Sequence, residues 1–464
     1  MFKNGLILLS DKKHLALIAF FIVITLSIFV DSIIVFLPFP ILGFLVLRYQ
    51  LNFVLFAIVV SFFTITNTID PNLRLVVQIV NYTIVAFLFL YQYGLDFKRY
   101  PKIPLSVCLF ILSLLLLMFI SSMASNYVVI GLAQFMRQII FLGLVYGLFS
   151  FIKSTKEVKL YIYSILMSSF IFFIVLQHQL LQNNFDLTIF FGYQIVEMGN
   201  KYLGKNYLGT FFSIIILILL SISFSKQYRS KRFLIYIILF ILFLSLVITN
   251  SRASILCLSF GVLFIFFRQN RSLFWGSILT FALLSYFLFI SPFSEVIEDY
   301  SRLDNIGTGR EYLIQATLEV IKNNFVLGAG PGGTKYEMYV NLPFLLGSIK
   351  ELTILRNFNA GDIGQAHNFY LFYFGDLGIG GLVLALTLPV IFFRLCYFLL
   401  NRLNNSGDEE YYIVLGITSV GIFMFIRGLF EPQNILTYGG ISSDLPFWLL
   451  ISIISFYYMK YKNA

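Results

Sequence analysis

The chain has 464 residues, 59% of them hydrophobic, 18% aromatic and only 12% charged, with a mean hydropathy of +0.89. Soluble domains carry roughly 25% charged residues, so a soluble or disordered chain is excluded, and the short alternating strands of a membrane β-barrel are absent from the pattern. The formal net charge of +10 could suggest a nucleic-acid partner, but in a membrane protein the placement of cations matters more than their sum, and none is expected here.

Apolar runs of about 20 residues each span a bilayer. They predict spans near 14–31, 33–47, 51–66, 73–92, 104–121, 127–151, 160–181, 206–224, 233–249, 252–267, 272–290, 368–393, 411–430 and 446–459. The expected fold is an all-α polytopic membrane protein with about fourteen transmembrane helices. Met1 to Lys13 is a short polar head without a small-residue cleavage site, so no cleaved leader is expected. The polar stretch 291–367 interrupts the rhythm and divides the chain into an N-terminal bundle (1–290), one large loop (291–367) and C-terminal helices (368–464). Cys108, Cys257 and Cys396 all lie in apolar runs, which argues against a disulfide framework or a zinc site.

Sidedness follows from Lys and Arg in the short loops. With the N-terminus in the cytoplasm, twenty of the 32 basic residues fall on the inner side, among them Lys98, Lys153, Lys226, Arg268, Arg394 and Lys460. Both termini are then cytoplasmic and the 291–367 loop is extracytoplasmic.

Cations that oppose this bias become site candidates, because a charge in mid-span costs roughly 2.5 kcal/mol or more unless it faces a cavity. They are Arg74, Arg137, Lys201, Lys205, Arg252 and Arg427. Arg74 has Asp70 close by and reads as an ordinary outer-turn residue. Arg137 sits deep in its span, and Arg252 lies in Thr249-Asn250-Ser251-Arg252-Ala253-Ser254 without an acidic neighbour in sequence.

Within the loop, Leu313, Ala316 and Val320 fall at helical spacing and predict an amphipathic helix over 311–324, capped by Thr308 with Glu311 three residues on. Arg310 would stand in its first turn, against the helix dipole, which an anionic ligand would explain. The glycine run Gly328-Ala329-Gly330-Pro331-Gly332-Gly333 has the outline of a dinucleotide fingerprint, but a Rossmann unit needs a preceding strand. A tight chain reversal is expected instead. His367-Asn368 opens the twelfth span, and Gly375-Asp376-Leu377-Gly378-Ile379-Gly380-Gly381 follows. Of the three His, His14 and His178 read as interfacial and structural. His367 is either a structural residue at a span mouth or the proton acceptor of a site, since imidazole titrates near neutrality. With no Asp-x-Asp pair and no outer carboxylate cluster, neither a hard metal ion nor a cofactor is expected. Arg and Lys would then hold an anionic substrate.

These residues together (Asn250-Ser251-Arg252-Ala253-Ser254 opening a span, Gly309-Arg310 opening a helix, the glycine run, then His367-Asn368-Phe369-Tyr370-Leu371 with Gly378-Ile379-Gly380-Gly381) resemble the O-antigen polymerase and ligase superfamily, of the Wzy and WaaL type, from about Lys201 to Gly381. Gly204-Lys205-Asn206 is similar to the family's short Asn motif. The resemblance implies a GT-C-like fold and a metal-independent, inverting glycosyltransferase acting on undecaprenyl-pyrophosphate-linked glycan at the outer face of the membrane. It implies that Arg252 and Arg310 hold the pyrophosphate and that His367 activates the acceptor hydroxyl. Charge placement adds Lys205 and Arg137 to the anion site, with Asn368, Asp376 and Arg427 in support. The larger span count favours a polymerase, which would work beside a flippase and a chain-length regulator. A ligase acting on lipid A-core is the alternative, and a flippase of lipid-linked oligosaccharide is the reading of another class, disfavoured by the single dominant loop and the lack of internal repeats.

Overall fold

A computed structural model describes residues 22, 51–68, 71–182, 196–198, 201–290, 310–340, 366–403 and 408–462. The expected spans 14–31 and 33–47, and the Thr308 cap, lie outside the described residues.

The described chain is almost wholly helical. In order it forms α1 (Leu51–Thr68), α2 (Pro71–Tyr93), α3 (Leu105–Ala124), α4 (Val128–Ser150), α5 (Thr155–Gln182), α6 (Lys205–Ser223), α7 (Arg232–Ile248), α8 (Arg252–Gln269), α9 (Arg271–Ile290), α10 (Arg310–Asn323), α11 (Thr334–Val340), α12 (Phe369–Leu403), α13 (Glu409–Arg427) and α14 (Ile441–Lys462). Among the described residues nine helices are long and apolar enough to cross a membrane, which makes this a multi-pass membrane protein. The expected spans at 51–66, 272–290 and 446–459 also form helices, α1, α9 and α14, outside those nine.

Between α5 and α6 the chain departs from all-helical structure. Val196–Met198 pairs antiparallel with Lys201–Leu203, Met198 opposite Lys201. The intervening Gly199-Asn200 is a two-residue hairpin signal that the surrounding apolar runs overshadow in sequence.

The chain folds as two compact units, each drawing on separated stretches of sequence. In the unit that takes in 51–101, 144–216 and 233–251, α1 packs on α5 and α2. Phe211 meets Phe63 and Phe172 edge-on, ring centres 5.0 and 5.2 Å apart, the geometry that aromatic quadrupoles favour. Asn81 Nδ2 donates to Ser61 Oγ at 3.0 Å, a polar tie of the kind that holds helices together where water is scarce.

The unit that takes in 102–143, 217–232 and 252–462 is built around α12 and α13, with α8 packed on α13, and α3, α10 and α14 on α12. Gly421 lets α13 approach α12 closely, since a Cβ there would stand 2.1 Å from the Phe392 ring. The expected amphipathic helix forms as α10, which runs from Arg310 to Asn323 where 311–324 is expected. Leu313, Ala316 and Val320 are buried, while Glu319 and Lys322 pair at 2.6 Å on its exposed face.

Candidate functional site

The two glycine motifs, separate in sequence, bind each other. α12 is interrupted at Gly378, whose φ of 66° and ψ of −159° take the backbone out of the helix. The segment after α10 docks on this break. Ala329 N–H donates to Gly375 O at 2.8 Å, Gly330 N–H to Asp376 O at 2.9 Å, and Ile379 N–H to Phe325 O at 2.9 Å. A Cβ on Gly378 would meet Val326 O at 2.2 Å, and one on Gly328 the Asp376 carbonyl carbon at 2.3 Å. The Asp376 carboxylate, fully buried, accepts from Gly332 N–H (2.8 Å), Thr334 N–H (3.0 Å) and the Tyr438 hydroxyl (2.8 Å). It thereby anchors the start of α11, whose first N–H groups have no helical partner of their own. Ser121 and Ser125 of the α3 end complete the clasp, their hydroxyls donating to Leu327 O (2.7 Å) and Ala329 O (2.5 Å). What precedes the glycine run is helix α10, not a strand.

The second feature is the segment 428–440, between α13 and α14. Five of the eight sequence-predicted site residues bind it or close onto it. His367 Nδ1 lies 3.2 Å from Glu431 Oε2, with Glu431 3% and His367 32% exposed. Asn368 Nδ2 donates to Leu429 O at 3.1 Å, while its Oδ1 caps α12 by accepting from Tyr370 and Leu371 N–H. Arg427 Nη1 donates to Gln433 O at 3.4 Å, Arg137 Nε to Gly439 O at 3.3 Å, and Tyr438 holds Asp376. Burial, and after it the Asp376 charge, hold the Tyr438 phenol well above its ordinary pKa, so it remains a donor. His367 takes a φ of 48°, and within the segment Asn434 and Tyr438 also have positive φ. Such backbone costs on the order of 1–3 kcal/mol for a side-chain-bearing residue and persists only where the surroundings impose it. Here Phe369 N–H on Gly428 O at 2.7 Å contributes.

Arg427, 1% exposed, also donates from Nε to Ser254 Oγ at 3.3 Å. The end of α13 therefore sits beside the beginning of α8, and with it Arg252, the first residue of α8 and half-buried. Arg310 likewise opens a helix, α10. Lys205 opens α6 and belongs to the first unit, where Ser251 Oγ donates to Asn206 Oδ1 at 3.3 Å. The expected Asn motif is thus bonded to the residue preceding Arg252. Among the described residues no three His, Cys, Asp or Glu side chains gather as a metal site.

Glu431 was not singled out in sequence. Glu431-Pro432-Gln433-Asn434 reads as an ordinary polar turn; the available hint was an acid four residues beyond an arginine that ends a span. A buried carboxylate accepting from Nδ1–H leaves Nε2 of the imidazole as a lone-pair acceptor, the arrangement that fixes a histidine tautomer for proton abstraction.

Residues 237–386 match the family model described as O-antigen ligase. The match takes in Arg252, Arg310, both glycine motifs, His367 and Asp376, and leaves out Lys205, Arg137, Arg427 and Glu431. Among curated proteins no match to the chain was found. The family match at 237–386 supports the O-antigen polymerase and ligase superfamily as the place of this chain.

Proposed function

We propose that the chain is a GT-C-like glycosyltransferase of about fourteen spans that polymerises surface glycan, moving the growing chain from undecaprenyl pyrophosphate to a lipid-linked repeat unit. The observation that carries this reading is His367 held by Glu431 at the mouth of α12, in the region whose family model is one of glycan transfer. Base assistance at a sugar hydroxyl is worth typically 10²–10⁴-fold. In the step, the acceptor oxygen bonds to the anomeric carbon from the face opposite the leaving group and its proton passes to His367 Nε2. The anomeric C–O bond to pyrophosphate breaks, its electron pair staying on the phosphate oxygen. Charge grows on that leaving group, where cations contribute most. Arg252 and Arg310 are both first residues of helices, and a helix N-terminus itself favours an anion. Lys205 and Arg137 add positive charge, and Arg427 and Asn368 fix the segment that bears Glu431.

The charge asymmetry of the loops supports a site on the outer face, with both termini in the cytoplasm, and the proposed membrane is the inner one. No metal takes part in the proposed step. A chain-length regulator and a flippase are the expected partners, and membrane lipid surrounds the whole.

A second reading has its own support: the matched family model is described as O-antigen ligase, which would make lipid A-core the acceptor. Surface glycan from a deletion strain separates the two. A single repeat unit on core marks a polymerase, and unattached lipid-linked polymer marks a ligase. Normal glycan in that strain would overturn both.

A further inference from the structure

The glycine clasp places a second group of side chains that the transfer step does not use. Ser125 Oγ, which donates to Ala329 O, also accepts from Tyr127 N–H at 2.9 Å, and Tyr336 N–H donates to Gly333 O at 3.0 Å. The clasp thereby stacks Tyr127 on Tyr336, ring centres 5.2 Å apart and planes within 29°. Asn126, exposed, donates from Nδ2 to Glu337 Oε1 at 3.4 Å. Lys335 Nζ stands 4.8 Å above the Tyr336 ring. Neither ring is buried.

Paired aromatic rings edged by an amide and a carboxylate have the chemistry of a sugar site. The face of Tyr127 turned away from Tyr336 would cover the C–H face of a pyranose, with Tyr336, under Lys335, backing that ring, while amide and carboxylate exchange hydrogen bonds with adjacent hydroxyls. Lys335 and Glu337 together cancel in charge, which suits a neutral sugar better than a phosphate. We propose that Asn126, Tyr127, Tyr336 and Glu337 form a subsite that holds one sugar of the lipid-linked glycan apart from the transfer site at His367. The subsite rests on the glycosyltransferase reading for its ligand, and it names the part of that ligand, a ring of the glycan rather than the pyrophosphate.

The test uses the full purified chain and, as probe, the oligosaccharide released by mild acid from the lipid-linked glycan of the cells that express it. Binding is followed by saturation-transfer NMR. Tyr127→Ala should raise Kd about tenfold, the scale of one lost aromatic contact, and Tyr336→Ala by less, while Tyr127→Phe should bind like the unsubstituted chain. Unchanged Kd in Tyr127→Ala, or no binding by the unsubstituted chain, overturns the subsite. Tyr-dependent binding in a chain that transfers nothing upholds the subsite and sinks the transferase reading alone.

Discussion

Asp376 and Glu431, both buried carboxylates of the second unit, stand near the start of α12 and are used in opposite ways. Asp376 accepts from two backbone N–H groups and a phenol, so its acceptor capacity goes into holding the glycine clasp. Glu431 is turned toward a side chain that is a third exposed, the His367 imidazole. A carboxylate bonded to backbone fixes shape, whereas one bonded to imidazole sets the tautomer and orientation of a group that can reach a substrate. The contrast predicts that substitutions at Asp376 fail in stability and those at Glu431 fail in turnover.

The largest effect is expected at the imidazole. His367→Ala should lower turnover by about 10²–10⁴-fold with donor affinity little changed, measured on purified protein that elutes as a single species. A structural His capping α12 would give poor yield instead. Near-normal turnover would remove His367 from the chemistry. Asp376 would not inherit the role, because its oxygens are already committed to the clasp.

Next in size is the anion site. Arg252→Ala should be nearly inactive, whereas Arg252→Lys should retain partial activity, since Lys keeps the charge and loses the bidentate fork. Equal loss in both variants would show that the positive charge alone contributes nothing at this position.

The smaller effects belong to the clasp. Asp376→Asn should destabilise the protein by about 1.5–3 kcal/mol, the worth of a hydrogen bond to a charged group. Gly378→Ala should cost at least about 1–3 kcal/mol from the positive φ, and more from its Cβ meeting Val326 O. Both are read as thermal shifts in detergent, and the folded fraction of either variant should keep its turnover number. A stable Asp376→Asn that transfers nothing would reverse the contrast.

The sequence made some of this visible and hid the rest for physical reasons. Apolar runs mark spans because the bilayer demands them, and α10 was legible because Leu313, Ala316 and Val320 recur at helical spacing. Both glycine motifs were recognisable one by one. Their pairing was not, because Gly332 and Asp376 lie 44 residues apart and local pattern carries no distance information. Arg137, Asn368, Asp376 and Arg427 drew attention by charge or by motif, but the segment 428–440 that they share carries no periodicity and no motif. Glu431 was invisible because a single acid in a polar turn looks like any solvated residue. Only the fold reveals that it is 3% exposed and faces a histidine 64 residues earlier.

The central claim, that Glu431 works through His367, is tested most directly by a double-mutant cycle on turnover with lipid-pyrophosphate-linked repeat units. Glu431→Gln alone should lower kcat by about tenfold or more, less than His367→Ala. The double variant should be no slower than His367→Ala, because the carboxylate has nothing left to orient. A double variant slower by the full Glu431→Gln factor would contradict the account and make Glu431 an independent participant.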